Sequence, residues 1–380
     1  MQEKIRPGYK QTEAGVIPED WEIRQLSDHF TIYAGGDVPK HSFSKIKTSA
    51  CPYPIFANAL QNKGLYGYTG EKRSRADSLT VTGRGFLGHA EYRDEPFFPI
   101  VRLLVLEPCG ALDAKFTTYA INERVEFAIE STGVPQLTAP QIAKYCIAAP
   151  ADLDEQQLIV SALSDADARI AALEALIAKK RDLKQAAKQQ LLTGKTRLPG
   201  FSGDWEATNF SSLVRHHSGN SSLIKGKLSS VARHGLYPAF SASGQDVWCE
   251  RAEQVGEAII VSAVGSRCGK SFHASGNWSA IANTHVVWPI SQKASLDFLM
   301  CFMNDEDFWL KSGSGQPFVL FKQSFNRPIA LPKIDEQIAI AEVLSDMDAE
   351  LAALDAEAEK ARTIKQGMMQ NLLTGKVRLV

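Results

Sequence analysis

The string GSRCGKS, Gly265 to Ser271, follows an apolar run and ends in Gly-Lys-Ser. Loops that cradle nucleotide phosphates end in these residue types. That chemistry needs four residues between the leading glycine and the Gly-Lys pair, so that enough backbone N–H groups wrap the phosphates. Here three intervene, and Val264 stands where the glycine is required. The corresponding GRGFLGH, from Gly83, has no lysine. A second candidate, TGKT at Thr193, closes a predicted helix, whereas a phosphate site needs a helix N-terminus. His216 and His217 are adjacent, so a strand or helix points them apart. They read as surface or DNA-facing groups rather than metal ligands. Cys51, Cys109, Cys146, Cys249, Cys268 and Cys301 show no metal-ligand spacing and read as reduced thiols. HExxH, nucleophile-elbow and paired-carboxylate patterns are missing. The expectation is a chain with no catalytic residues, no metal site and no cofactor of its own.

Composition agrees with a soluble protein of several domains. The 380 residues exceed one compact core, and hydrophobic (44%) and charged (22%) fractions are ordinary. With Lys plus Arg at 42 and Asp plus Glu at 43, no global positive field marks a nucleic-acid partner. Local patches or partner subunits would have to supply it. The charged N-terminal segment MQEKIRPGYKQ does not read as a secretion signal, and no apolar run suits a bilayer, so a cytoplasmic setting is expected. There is also no Asn/Asp-Pro-Pro-aromatic string, the pattern that resembles the base-binding motif of amino-methyltransferases.

The chain is written twice. Asp154–Leu198 and Asp335–Leu379 align without a gap and share 25 identities in 45 positions, where chance gives about 3. The repeat continues outward: Trp21 matches Trp205, YPIF from Tyr53 matches YPAF from Tyr237, and Gly85 matches Gly265. VLEP ending at Pro108 matches VVWP ending at Pro289, and GVP at Gly133 matches GQP at Gly315. The unit is a divergent body followed by a well-preserved tail.

The tails read as helices. Leu163, Ile170, Ile177, Lys184 and Leu191 recur every seven residues, with Ala166, Leu173, Lys180 and Ala187 between them. The second copy uses Leu344, Leu351, Ala358, Lys365 and Leu372, with Met347, Leu354, Ala361 and Met368. This is coiled-coil spacing in proline-free sequence rich in good helix formers. Gly194 and Gly375 follow the last leucines, where a left-handed cap ends a helix. LLTGK is thus a stop signal used twice. Lys184 and Lys365 fall on the seam, either fixing register or snorkelling to solvent. Gly367 sits inside the second helix where the first copy has Ala186, predicting a bend there or a close approach by a partner. The bodies read as mixed α/β, with SLTVTG, FPIVRLLVLEP, EAIIVSAV and NTHVVWP as strands. Long polar stretches lie between them, Ala34–Pro52 and His216–Tyr237 among them.

These features together resemble the specificity (S) subunit of type I restriction–modification enzymes. GYKQTEAGVIPEDWE resembles that family's entry to its first recognition domain. DEQQLIVSALSDADARIAALE running to LLTGKTRL, and LPKIDEQIAIAEVLSDMDAELAALD running to LLTGKVRL, resemble its two conserved helices. The resemblance covers essentially the whole chain. It implies an α+β fold of two pseudo-repeated mixed α/β target-recognition domains (1–151 and 201–332), separated by an antiparallel two-helix coiled coil (152–200 and 333–380). It further implies a non-catalytic subunit that reads an asymmetric two-part site in double-stranded DNA. Such a subunit holds two modification (methyltransferase) subunits and recruits restriction (motor–nuclease) subunits. S-adenosylmethionine, ATP and Mg would then belong to partner chains. A rival reading, a duplicated coiled-coil adaptor for protein or carbohydrate, fits the same pattern of variable bodies and constant tails; a neighbouring methyltransferase gene would discriminate against it.

On that reading the polar loops carry the DNA contacts. In the first body the candidates are Lys40, His41, Lys45, Lys47, Asn58, Gln61, Lys63, Tyr66, Arg73, Arg75 and Arg84. In the second they are His216, His217, Lys225, Lys227, Arg233, Ser243, Gln245, Arg267, Lys270 and Gln316. Arg and Lys suit phosphate or guanine, and Asn and Gln suit adenine.

Helices of about 40 residues span roughly 60 Å. The order body–helix–body–helix lets the second run back along the first, with one body at each end. Half-site centres about one turn, roughly 34 Å, apart and a spacer of about 5–8 base pairs follow. Four residues inserted into both helices, near Ile177 and Ala358, should move the bodies by about 6 Å. Genome-wide mapping of methylated adenines should then show unchanged half-sites and a longer spacer. A changed half-site sequence, or an unchanged spacer in an active enzyme, would show that the helices are not the ruler.

Overall fold

A computed structural model describes residues 6–128, 135–290, 292, 294–313 and 315–379. The chain divides into two units, residues 1–174 with 356–380, and residues 175–355. The division runs through both long helices. Each unit therefore holds one body, the beginning of one long helix and the end of the other.

In the first unit a four-stranded antiparallel sheet forms the body's centre, in the order Phe30–Ala34, Leu104–Pro108, Ser78–Val81, Ala90–Arg93. Ser78–Val81 is buried along its whole length, as an inner strand covered on both faces must be. The helix Ala114–Arg124 packs on this sheet. Asp113 caps it by accepting from the Lys115 and Phe116 amides at 2.8 and 2.7 Å. In a second sheet Tyr53–Phe56 lies between Leu65–Thr69, antiparallel, and Phe98–Pro99, parallel.

The second unit repeats the plan. Its central sheet runs Val214–Ser218, Thr284–Pro289, Ala258–Ser262, Ser271–Ala274, and Tyr237–Ser241 again pairs antiparallel with the next strand and parallel with Asn277–Ala280. The repeated sequence strings thus mark repeated strands. Of the GVP string, Gly133 and Val134 lie outside the described residues. One expectation changes: FPIVRLLVLEP is two strands, Phe98–Pro99 and Leu104–Pro108, in different sheets. Val101 and Arg102 take left-handed backbone angles, φ 49° and 59°, which breaks the run and hands the chain from one sheet to the other.

The long helices span Leu153–Leu191 and Ile334–Leu372, starting one residue after the expected 152 and 333 and ending three residues before the cap glycines Gly194 and Gly375. In each unit the two helical segments run antiparallel. Leu163, Ile177, Leu191, Leu344, Leu351, Ala358, Ala361 and Leu372 of the expected seam are buried. A buried leucine or isoleucine contributes about 1.5–3 kcal/mol, more than an exposed ion pair at about 0–1 kcal/mol. The seam lysines do pair across the helices. In the first unit Lys365 Nζ lies 2.5 Å from Asp167, and in the second Lys184 meets Asp348. The second helix runs unbroken through Gly367, where a Cβ would meet nothing.

Both helices end alike, with Gly194 at φ 68° and Gly375 at φ 66°. Each glycine seats on the tryptophan that opens its unit's body. A Cβ on Gly194 would lie 3.2 Å from the Trp205 ring; one on Gly375 would lie 2.4 Å from Pro18 and 3.3 Å from Trp21. The arginine beyond each cap then reaches the glutamate at the start of the neighbouring helix. Arg197 Nε and Nη2 donate to Glu336 at 2.5 and 2.6 Å. Arg378 grips Glu155, with Nη2 at 2.7 Å, and also Asp20 at 2.8 and 2.9 Å. That guanidinium holds the Asp20 carboxyl below its usual pKa. The next residue ties the helix start to the body: Gln156 accepts from the Asp113 amide at 2.9 Å, and Gln337 from the Ser295 amide at 2.9 Å. Alanine at Gly375 meets both the left-handed penalty and a clash with proline, and should cost about 2–4 kcal/mol. At Gly194, where only an aromatic face must yield, the cost should be about 1–2 kcal/mol. Urea unfolding of the two variants checks the order; equal losses would remove the Pro18 contact from the account.

Candidate nucleic-acid interface

In each body the inner strand of the central sheet ends in a loop that is pinned by main-chain hydrogen bonds. In the first unit Leu137 N donates to Gly83 O at 2.8 Å and Arg84 bridges Gln136. In the second, Val319 N donates to Ala263 O at 3.0 Å and Val264 bridges Phe318. The turn glycines Gly85 and Gly265, at φ 77° and 98°, follow directly. Two bodies of different sequence therefore build one loop, at one place, with side chains free to differ.

Asn58 fastens the first loop from the second sheet. Its Oδ1 accepts from Gly83 N at 2.6 Å, and its Nδ2 donates to Arg84 O at 2.7 Å. Arg84 and Asn58 are thus brought together, with Arg84 exposed and Asn58 partly spent on the loop. Phe86 beside them is 64% exposed. In the second unit Arg267 Nη1 donates to Ser243 O at 3.1 Å, joining two candidates. Lys270 lies in the same turn above the Phe272 ring, and Gln316 neighbours Pro317, whose carbonyl accepts from Gly265 N at 2.8 Å. The chain after GSRCGKS continues as the strand Ser271–Ala274 and not as a helix, so the dipole a phosphate loop needs is missing.

Most of the remaining candidates have other partners, although Lys63 lines one cavity with Gly85 and Phe86 of the first loop. Lys45 sits over the Tyr66 and Phe43 rings at 4.7 and 5.4 Å, an exposed cation–aromatic group. Lys40 and His41 occupy a short 3₁₀ turn, where His41 pairs with Glu71 at 2.5 Å. Lys47 pairs with Glu95 at 3.1 Å, and Lys63 lies 4.0 Å from Glu91. Gln61 is exposed at the start of the same turn as Lys63. Arg73 lies 5.7 Å from the Tyr33 ring, and Arg75 donates to Pro108 O. In the second unit Lys225 pairs with Asp246, Lys227 and Arg233 are exposed, and Gln245 Nε2 reaches Val247 O at 3.4 Å.

His216 and His217 stand on the strand Val214–Ser218 rather than in a loop, and they do face apart. His217 lies 5.0 Å from the Trp288 ring. His216 Nδ1 is 2.7 Å from His285 Nε2, and His285 stacks on Phe321 at 3.8 Å. Burial, reinforced by charge on His216 and His217, pushes His285 down to about 3. Among the described residues, no group of three or more His, Cys, Asp or Glu could hold a metal ion, and no helix is long and apolar enough to cross a membrane. Phe86, exposed beside the first loop, is not among the sequence candidates. Its signal is that of an aromatic between two turn glycines.

Residues 18–180 match the family model for the type I restriction modification DNA specificity domain. Over 38% of its length the chain is 31% identical to a Mycoplasma pneumoniae protein described as a type I specificity subunit, covering 39% of that protein. A second from the same organism matches at 31% over 35% of this chain, so the chain spans about two fifths of the length of these relatives. A Methanocaldococcus jannaschii protein described as a type I restriction enzyme specificity subunit matches at 23% identity over 98% of this chain and 97% of its own. The fold is shared with the crystal structure of a type I restriction–modification S subunit from M. genitalium. The TM-score is 0.67 at 16% identity, with 97% of both chains covered. A chain from a structure of type I complex assembly matches with a TM-score of 0.55 at 14% identity, covering 95% of this chain and 99% of its own.

Because His285 is depressed in the folded chain, the unfolded chain binds its proton first as pH falls below about 6.5. Stability from this group is complete above that pH and drains toward the folded value near 3. The melting temperature should drop between pH 7 and 5, and His285→Gln should flatten that drop. An identical slope in the variant would place the titration elsewhere.

Proposed function

We propose that this chain, a member of the type I DNA specificity family, reads a two-part asymmetric DNA site, each body contributing one half. The observation that carries this is the strand-end loop. It is pinned at the same place by the same kind of main-chain pairing in both bodies, while Arg84 projects from one and Arg267 from the other. A frame that repeats and side chains that do not is what two different half-sites require of two copies of one domain.

Reading would proceed by hydrogen bonds to base edges from the loops, with the lysines and arginines around them gripping phosphate. A formal charge of −1 leaves the chain with few counterions to release on its own. Two linked reading bodies gain from effective concentration, and partner chains would supply further phosphate contacts. In this account the repeated helix surfaces seat two modification subunits, and restriction subunits join that assembly. This chain performs no bond chemistry. Methyl donor, ATP and Mg are held by the partners.

Replacing a base-reading arginine costs about 1–3 kcal/mol and relaxes one position of the site. Arg84→Ala should do this in one half-site and Arg267→Ala in the other, read by titrating labelled duplexes with the assembled complex. If both variants keep wild-type affinity and site choice, these loops do not read the bases.

A further inference from the structure

We infer that Arg102 and Asn283 are a matched pair of base-reading residues, Arg102 taking a guanine in one half-site and Asn283 an adenine in the other. The inference rests on the DNA reading above and goes beyond it by naming residues and bases.

The two residues occupy the same position of the repeat, in the turn that follows the parallel strand of the second sheet and leads into the central sheet. Both are exposed, and both hold left-handed backbone, φ 59° at Arg102 and 66° at Asn283. Glycine suits such a position at no steric cost. Neither copy uses it, and the first copy adds a β-branched residue in the same region, Val101 at φ 49°. Left-handed backbone kept without glycine at one point of two divergent bodies, strained at Val101 and Arg102 and tolerated at Asn283, points to a use for the side chains there.

Their surroundings say what the use is. Each turn backs directly onto the strand-end loop of its own unit. A Cβ on Gly83 would lie 3.0 Å from the Arg102 carbonyl, and Ala263 N donates to Asn283 O at 2.9 Å. Arg102 Nη1 also donates to Gln136 Oε1 at 3.1 Å, on the residue bridged to Arg84. One guanidinium N–H is therefore used to fix the group beside the loop, while its other donors meet no hydrogen-bond partner among the described residues. A braced guanidinium fits the N7 and O6 acceptors of guanine. A carboxamide, with one donor and one acceptor, fits N6 and N7 of adenine.

The test uses the full chain assembled with its modification subunits and maps methylated sites for Arg102→Gly and Asn283→Gly. Glycine removes the side chain and relieves the left-handed strain, so melting temperatures should hold or rise. Each variant should lose one specified base, a guanine in one half-site and an adenine in the other, with preference there falling roughly 5- to 150-fold. Arg102→Asn tolerates the same backbone and should shift its position from guanine toward adenine. Unchanged specification in all three variants, on a wild-type complex that does modify a two-part site, overturns this inference alone. A wild-type complex that modifies no such site overturns the reading beneath it.

Discussion

Each unit is closed by one clasp, an arginine from the end of one helix on a glutamate at the start of the other. The carboxylates are almost wholly buried, with side-chain exposures of 4% for Glu155 and 2% for Glu336. A buried carboxylate without a partner is costly, and breaking such a pair costs about 3–5 kcal/mol. The bidentate geometry makes the contact directional as well as strong. Around it the other repeated elements fall into order: the glycine cap delivers the arginine, the tryptophan receives the cap, and the neighbouring glutamine ties the helix start to the body. The repeated LLTGKxRL and DEQ strings are the two halves of this clasp, which is why each occurs twice. Because Arg378 lies 223 positions from Glu155, the first unit closes only through contacts remote in sequence. Such a topology folds slowly compared with one built from local pairs.

What the sequence disclosed was what periodicity and punctuation encode. Heptad leucines disclosed the two long helices, and Gly194 and Gly375 marked their ends. The split of FPIVRLLVLEP was not legible, since the run is apolar and β-branched throughout and nothing at Val101 or Arg102 announces a left-handed turn. Asn58 was legible as a polar loop residue, but not as the brace of the Gly83–Arg84 loop, because its partners lie about 25 positions away. His216 and His217 were rightly sent to opposite faces. That one of them meets a buried His285 depends on strand register, which no local pattern specifies.

The bodies show how a fold keeps its frame while its surface changes. The strand-end loops are pinned by main-chain hydrogen bonds, which every residue except proline can donate, with the Asn58 side chain as an added brace in the first body. Side chains at Arg84, Phe86 and their counterparts Val264 and Ser266 are therefore released from structural duty. The core beneath them is less free. Ile259, Val261 and Val287 in one body, and Leu79, Val81 and Leu106 in the other, are fully buried and remain branched and apolar.

Salt acts unequally on these layers. Lys184–Asp348 and Lys365–Asp167 lie at the edge of the helix seam, roughly a quarter exposed on the lysine side, and are screened as surface pairs are. The loop cations that would grip phosphate are more exposed, and phosphate binding weakens steeply with salt through counterion release. The Arg–Glu clasps are shielded by burial, and the leucine seam carries no charge. Rising ionic strength would therefore weaken any hold of these cations on an anion first and loosen the seam's charged edge next. The closed units are left intact. A chain built this way can lose a charged ligand without coming apart, because the forces that hold its fold and those that would hold the ligand sit in different dielectric environments.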